Sequence, residues 1–185
     1  MSDAATATPT PQKEKETAFT LRAWTEADAE SCAAEANSAR VAQYLRDAFP
    51  HPYSVDDARA FIAFCRAQDP ARALMRCIDV GGRAVGSISV AAGTDVYARS
   101  AELGFWLGEA HWGRGTATRA VRQVCAAAFA ALGVVRVHAE VFAPNAASHA
   151  VLRRAGFVCE GVHRRAVYKN GVFYDTHTYA LVKDP

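Results

Sequence analysis

The chain has 185 residues, 51% of them hydrophobic and 22% charged, which suits one well-buried globular domain and leaves little room for a second core. Its net charge of +2 is too small to indicate binding to nucleic acid, and no apolar run approaches the ~20 residues of a membrane span. The N-terminus lacks a signal-peptide pattern, and five cysteines without Cys-x-x-Cys spacing argue against a complete disulfide framework. We therefore expect a cytoplasmic protein with buried thiols and without nucleic-acid or membrane partners.

The first half is expected to contain a tail, two helices and several strands. Residues 1–17 are rich in Ala, Thr, Pro and charged residues and predict a mobile tail, so the domain is expected to span 18–185. Gly81-Gly82 between two apolar runs predicts a β-hairpin. Polar residues at Thr25 and Ser54 predict helix N-caps. The expected elements are a strand over 19–24, a helix to about residue 36, a helix from 54 to about 69, and strands over 73–80, 84–90 and 101–107.

The second half is expected to continue with helices and strands in alternation. Gly133 and Gly156 are typical of helix C-termini, and Asn145 of an N-cap. Asn170-Gly171 favours a tight hairpin turn. The expected elements are a helix over 117–132, a strand over 134–141, a helix to 154, and strands over about 157–168 and 172–181. This order predicts an α/β fold: a mixed, mostly antiparallel sheet with helices on both faces, split where a helix crosses over.

The glycine-rich stretch from His111 to Thr118 joins a predicted strand to a predicted helix. Gly113 and Gly115 permit a tight turn, while the free amides and positive dipole end of the next helix face a ligand, so the loop suits a pyrophosphate. An ordinary tight turn remains the alternative. The chain has neither Gly-x-Gly-x-x-Gly nor Gly-Lys-Ser/Thr at this loop, which disfavours a nicotinamide-binding domain and a nucleotide triphosphatase.

Residues 101–182 resemble the GNAT superfamily of acetyl-CoA-dependent N-acetyltransferases, in particular its RimJ/RimL-like branch. Trp112 stands where the loop of the family often has Gln or Arg. The resemblance implies a GNAT-like sheet split at the cofactor cleft and direct transfer of an acetyl group to a primary amine, either a protein N-terminus or a small-molecule amine. It is carried by the segments 101–108 (AELGFWLG), 112–118 (WGRGTAT), 145–148 (NAAS) and 152–157 (LRRAGF), and by Asp175.

The resemblance also implies the residues that bind acetyl-CoA. The strand backbone would contact the pantetheine arm, the amides of the glycine loop would hold the pyrophosphate, and an asparagine would both cap a helix and contact the coenzyme. The implied set is Phe105, Trp106, Leu107, Gly113, Arg114, Gly115, Thr116, Ala117, Thr118 and Asn145. The six histidines lack metal-ligand spacing, so no metal is expected.

Transfer to an amine requires a proton acceptor for the amine and a proton donor for the leaving thiolate. Glu102 and Glu140 are the candidate bases, Glu102 being preferred, and either one is alternatively a solvent-facing or salt-bridged carboxylate. The resemblance places Ser148 near the thioester sulfur, which makes it the candidate donor, with capping of a helix terminus as the alternative.

The acceptor is expected in a cleft between the early helices and the last hairpin. Its candidate contacts, each of which is alternatively a packing residue, are Arg40, Tyr44, Tyr53, Tyr168 and Tyr174. The last hairpin is also a possible homodimer surface. Two other function classes stay open: a catalytically inactive coenzyme A-binding sensor or scaffold, and a dinucleotide-binding oxidoreductase, against which the missing third glycine argues.

Overall fold

The computed structural model describes residues 17–183, so the predicted tail lies outside the described residues except for Thr17. Seven strands form one sheet in the order β1-β2-β3-β4-β5-β7-β6. All neighbours are antiparallel except β4 and β5, which are parallel, and this confirms the predicted mixed sheet. The strands are β1 Thr20–Arg22, β2 Ala73–Val80, β3 Arg83–Ala92, β4 Ser100–Leu107, β5 Arg136–Phe142, β6 Val158–Lys169 and β7 Val172–Val182.

Residues 17–183 form five α-helices: α1 Ala29–Ala36, α2 Ala39–Ala42, α3 Val55–Ala67, α4 Thr116–Ala131 and α5 Ala146–Ala155. Short 3-10 turns occupy Glu26–Asp28, Asp95–Tyr97 and Glu109–His111. Each face has its own hydrophobic cluster. One combines α4 and α5 with strand residues such as Ile88 and Val137. The other combines α1 and α3 with Trp24, Cys77 and Ala84, so the expectation of helices on both faces is confirmed.

The sheet opens between β4 and β5. These strands pair only over Ser100–Glu102 and Arg136–His138. Beyond that point β4 stays paired with β3 up to Leu107, and β5 stays paired with β7 up to Phe142. The second half of β4 therefore presents unpaired backbone groups to the gap, as expected for a sheet that is split at a ligand cleft.

Several boundaries differ from the sequence-based expectations for identifiable reasons. The first helix begins at Ala29, because Thr25 caps a 3-10 turn through Asp28, whose carboxylate also receives hydrogen bonds of 2.7 Å from Arg22. Strand β1 ends before Trp24, which is only 3% exposed and packs in the cluster with α1 and α3. Helix α2 was not predicted, since four residues are too few to show a helical period.

The cysteine prediction was correct for four thiols and wrong for one. Cys32, Cys65, Cys77 and Cys125 are buried, whereas Cys159 is exposed. Cys159 lies on β6, where side chains on both faces are largely exposed, so its apolar neighbours along the chain do not enclose it.

Candidate functional site

The glycine loop ends at a helix terminus that lacks a side-chain cap. Gly113 and Gly115 have φ values of 76° and 70°, in the left-handed region that favours glycine, and Gly115 is the N-cap of α4. A Cβ atom built on either glycine meets nothing within 4 Å, so the space in front of them is open. No side chain bonds the first turn of α4 among the described residues, which leaves its amides available to an anion.

A cavity of about 470 Å³ opens in front of this terminus, and we call it the glycine-loop cavity. It is bounded by the end of β4, the glycine loop, the first turn of α5, and α2 with the residues that follow it. Of the residues predicted to bind coenzyme A, Arg114 does not line the cavity. Those that do are Phe105, Trp106, Leu107, Gly113, Gly115, Thr116, Ala117, Thr118 and Asn145.

Trp112 fastens the loop to the end of β4. Its indole Nε1–H donates a hydrogen bond of 2.6 Å to the Leu107 carbonyl oxygen. The Arg40 guanidinium lies 5.1 Å from the centre of the tryptophan ring and pairs with Glu109 at 2.6 Å. Trp112, at the position where the family often has Gln or Arg, therefore anchors the loop and packs its indole ring against Arg40 of α2.

The buried hydroxyl of Thr116 supports a polar ligand at this helix entrance. Thr116 is 1% exposed, and its Oγ1 has no hydrogen-bond partner within residues 17–183. An unpaired polar group is costly inside a protein. With the uncapped amides, the open space at the glycines and the unpaired edge of β4, the residues present fit the diphosphate and amide-bearing arm of coenzyme A.

A second cavity of about 1060 Å³ lies toward the other end of the gap, and we call it the carboxylate cavity. Ala101 and Leu103 on β4, like Ala139 on β5, pack in the cluster with α4 and α5. Because side chains alternate along a strand, Glu102 and Glu140 project toward the opposite face. Both glutamates line the carboxylate cavity, and Ser148 lines both cavities, so the structure brings the three predicted catalytic residues to one region.

The three side chains have different surroundings. Glu102 forms an ion pair with Arg46, and its side chain is 44% exposed. Glu140 is exposed, and its carboxylate neither forms an ion pair with nor accepts a hydrogen bond from any residue in the range 17–183. Ser148 donates its backbone N–H to Asn145 Oδ1 at 3.1 Å, so Asn145 does the capping, while the serine hydroxyl makes no hydrogen bond within the described part of the chain.

The predicted acceptor residues divide between the two cavities. Tyr44 lines both, Tyr168 lines the carboxylate cavity, and Arg40 lines the glycine-loop cavity. Tyr53 is 6% exposed, and burial raises the pKa of its hydroxyl. Tyr174 lines neither cavity and packs on Phe142, with 5.7 Å between ring centres, so its role is packing.

Lys169 was missed by sequence reasoning, because a lysine beside an Asn-Gly turn indicates an exposed hairpin end. Its side chain is 9% exposed, and Nζ donates hydrogen bonds to the carbonyl oxygens of Ala42, at 3.1 Å, and of Leu45. Asp47 lies 3.5 Å from the ammonium. The last hairpin is thereby tied to the C-terminal end of α2 and to the segment that carries Arg46.

His149 lines neither cavity and ties the first turn of α5 to neighbouring residues. Its Nδ1 lies 3.0 Å from the Tyr179 hydroxyl and its Nε2 lies 3.2 Å from the Ala143 carbonyl oxygen. Burial lowers the pKa of His149, so the neutral ring donates from Nε2 to the carbonyl and accepts at Nδ1. Arg153 donates to the same tyrosine hydroxyl, whereas Arg154 lines the glycine-loop cavity.

Within residues 17–183, no helix combines the length and the apolar character that crossing a membrane would require. The same residues contain no group of three or more His, Cys, Asp or Glu side chains placed to hold a metal ion.

Comparison with known proteins connects this geometry to one family. The family model described as Acetyltransferase (GNAT) domain matches residues 18–158. The protein named Uncharacterized N-acetyltransferase YoaA, from Bacillus subtilis (strain 168), is 42% identical over 85 residues, which are 46% of this chain and 48% of that protein. Ribosomal-protein-serine acetyltransferase of Escherichia coli (strain K12) is 32% identical over 87 residues, again 46% of this chain and 48% of the relative. The matches thus span about half the length of these curated relatives.

A solved structure matches over a larger share of both chains. RimL, a ribosomal L7/L12 alpha-N-protein acetyltransferase in complex with coenzyme A, has a TM-score of 0.80 and 26% identity, and the match covers 91% of this chain and 96% of that chain. The seven-stranded, mostly antiparallel sheet is the fold of that protein. From the family match and the shared fold, we conclude that the chain belongs to the GNAT acetyltransferase family.

Proposed function

We propose that the protein is an N-acetyltransferase that moves the acetyl group of acetyl-CoA directly to a primary amine, with a peptide N-terminus or a small amine as the acceptor. The observation that carries the proposal is the gap between β4 and β5. The glycine-loop cavity and the carboxylate cavity meet there and share six lining residues: Tyr44, Leu45, Phe105, Trp106, Asn145 and Ser148. A coenzyme bound in the first cavity and an amine bound in the second would meet at these residues.

The coenzyme side is assigned from the main chain. The amides of Thr116, Ala117 and Thr118 hold the diphosphate at the entrance of α4, and the unpaired edge of β4 pairs with the amides of the pantetheine arm. Acetyl-CoA supplies an activated acetyl group. In the net reaction an ammonium ion and the thioester give an N-acetyl amine, coenzyme A thiol and a proton, as the new C–N bond replaces the C–S bond.

The acceptor side is assigned from side chains. The amine must lose a proton before it can attack, and Glu102 or Glu140 accepts that proton directly or through water. Ser148 holds an uncommitted hydroxyl at the junction of the cavities and donates a proton to the leaving thiolate.

The proposal is tested with purified protein, acetyl-CoA and a panel of amines and short peptides. Acetyl-CoA should raise the melting temperature, because a ligand that binds only the folded state stabilises it. Mass spectrometry should then detect N-acetylated product, formed at a rate that falls at least tenfold in Ser148→Ala with little change in the KM for acetyl-CoA. Binding of acetyl-CoA without acetylation of any acceptor would identify a coenzyme A-binding sensor or scaffold instead, and no thermal shift at saturation would refute the cofactor assignment.

The two candidate bases are separated by the kinetics of Glu102→Gln and Glu140→Gln. The variant that lacks the base should lose at least tenfold in kcat, because no protein group then accepts the proton of the amine, whereas the other should keep a kcat near that of the parent protein. Both side chains are at least partly exposed, so we expect both variants to fold.

A further inference from the structure

Aromatic side chains from both sides of the gap line the carboxylate cavity. On one side Phe49 packs on Tyr53, with 4.8 Å between ring centres, and on Trp106, with 5.6 Å between ring centres. On the other side Tyr44 lies 6.2 Å from Phe142. These two aromatic groups flank the gap from which Glu102 and Glu140 project.

Two further aromatic side chains stand exposed at the rim of this cavity. Phe64 on α3 is 56% exposed and Tyr168 on β6 is 62% exposed, and both line the carboxylate cavity. Large apolar side chains that gather around a groove mark a ligand site, whereas scattered ones need no explanation. The cavity of about 1060 Å³ also exceeds what a methyl or hydroxymethyl side chain beside an amine would fill.

All but one of the charged side chains that line this cavity have a partner within the protein. Glu102 pairs with Arg46, and Asp47 lies beside the Lys169 ammonium. Asp57 accepts a hydrogen bond of 2.8 Å from the Ser54 backbone in a helix cap. Only Glu140, among the lining residues within 17–183, has a carboxylate free of protein partners. A free carboxylate complements a cationic head, and the rings beside it complement an apolar body.

We propose that the preferred acceptor is a primary amine with a large apolar group, best an aromatic ring, one or two carbons from its nitrogen. In this assignment Glu140 binds the ammonium and the two aromatic groups enclose the ring. Two kinds of acceptor carry this group: a small arylalkylamine and a peptide whose first residue is aromatic. The inference rests on the proposed acetyltransferase function and narrows its acceptor.

The experiment compares acceptors of matched amine chemistry. The value of kcat/KM is measured by mass spectrometry for 2-phenylethylamine against ethanolamine, and for a tetrapeptide beginning with Phe against its analogues beginning with Ala and Ser. We expect the aromatic member to be preferred at least tenfold in one pair or both, and the pair with the higher kcat/KM identifies the source. Equal or better use of ethanolamine and of the Ala and Ser peptides would overturn the inference while leaving the acetyltransferase function intact.

Matched variants link the preference to the cavity. Phe64→Ala should reduce the aromatic preference about threefold or more. Tyr97→Ala removes a ring that is also exposed, at 71% against 56% for Phe64, but lies outside the cavity, so it should leave the preference unchanged. Glu140→Gln should raise the KM of the amine at least tenfold with an unchanged KM for acetyl-CoA. An identical preference in the parent protein and in Phe64→Ala, or an unchanged amine KM in Glu140→Gln, would contradict the assignment.

A binding measurement separates failure of the inference from failure of the function. Calorimetric titration of 2-phenylethylamine into the coenzyme A-loaded protein should show saturable binding that Glu140→Gln weakens. If no amine is acetylated but this binding is observed, the acceptor site stands and the acetyltransferase function fails. If neither is observed, both fail.

Discussion

Replacement of Gly115 by alanine tests the binding role of the glycine loop, and Gly133 provides a matched control. Both residues are left-handed glycines at the ends of α4, with φ values of 70° and 63°. A Cβ at Gly115 meets nothing within 4 Å, and a Cβ at Gly133 meets only Arg99 Nη1 at 3.5 Å, an ordinary contact. Neither variant creates a clash, so the free energy of unfolding of each should fall only by the cost of placing alanine in the left-handed region, about 1–2 kcal/mol.

The two variants should therefore agree in stability and differ in affinity. Urea denaturation should give similar losses of unfolding free energy, and the melting temperature should fall by ~2–4 °C for each kcal/mol in a domain of this size. Calorimetric titration with acetyl-CoA should show a loss of about tenfold, equivalent to ~1.4 kcal/mol, for Gly115→Ala, because its methyl group stands in front of the helix amides. Gly133→Ala should bind normally. Equal affinity in the two variants would refute a role for the loop in binding the coenzyme.

Three further predictions concern the surrounding structure. Lys169→Met should lower the free energy of unfolding, measured with urea, by about 1–3 kcal/mol, since it leaves carbonyl groups at the end of α2 without their donor. It should also raise the KM of the acceptor more than the KM of acetyl-CoA. An equal rise of both KM values would argue against a positioning role for Lys169. The hydrogen bond from Arg22 holds the pKa of Asp28 below its ordinary value, so the stability that it contributes is complete above the unfolded pKa of about 4 and is lost as pH falls. In an acid titration followed by circular dichroism, the stability of Asp28→Asn should therefore decline less steeply with falling pH than that of the parent protein. Equal slopes would contradict this assignment. Burial raises the pKa of four thiols to about 12, those of Cys32, Cys65, Cys77 and Cys125. Ellman's reagent should therefore react with the exposed Cys159 alone in the native protein and with all five thiols after unfolding. Fast reaction of more than one thiol in the native protein would show that the core opens.

Local signals account for most of the elements and for the coenzyme side of the site. The Ser54 cap, the Gly81-Gly82 turn and the Asn145 cap are short-range features, and the structure confirms each of them. The glycine loop is equally local, because two glycines and the following helix define its geometry within a few residues. The residues proposed to bind the coenzyme could be predicted from the sequence, because their main-chain groups, rather than contacts between distant side chains, would bind it.

The acceptor side was much less predictable, because distant residues build it. Arg46 and Glu102 are 56 positions apart, and Lys169 reaches Leu45 across 124 positions. Strand β6, which ends at Lys169, also has an irregular register between His163 and Val167, where Arg165 has a φ of 52° and donates its N–H to Asp175 at 2.7 Å. A bulge of this kind redirects a strand and leaves no periodic signal in the sequence.

Each face of the sheet has its own hydrophobic cluster, one with α4 and α5 and one with α1 and α3. This division has an evolutionary consequence. Under the proposed function, substitutions in α3 that reshape the carboxylate cavity can alter amine choice without repacking the layer of α4 and α5 beneath the glycine loop. A chimera that takes α3, Val55–Ala67, from a relative should therefore acquire the donor's acceptor range and keep the recipient's affinity for the coenzyme, since α3 lines the carboxylate cavity and not the glycine-loop cavity.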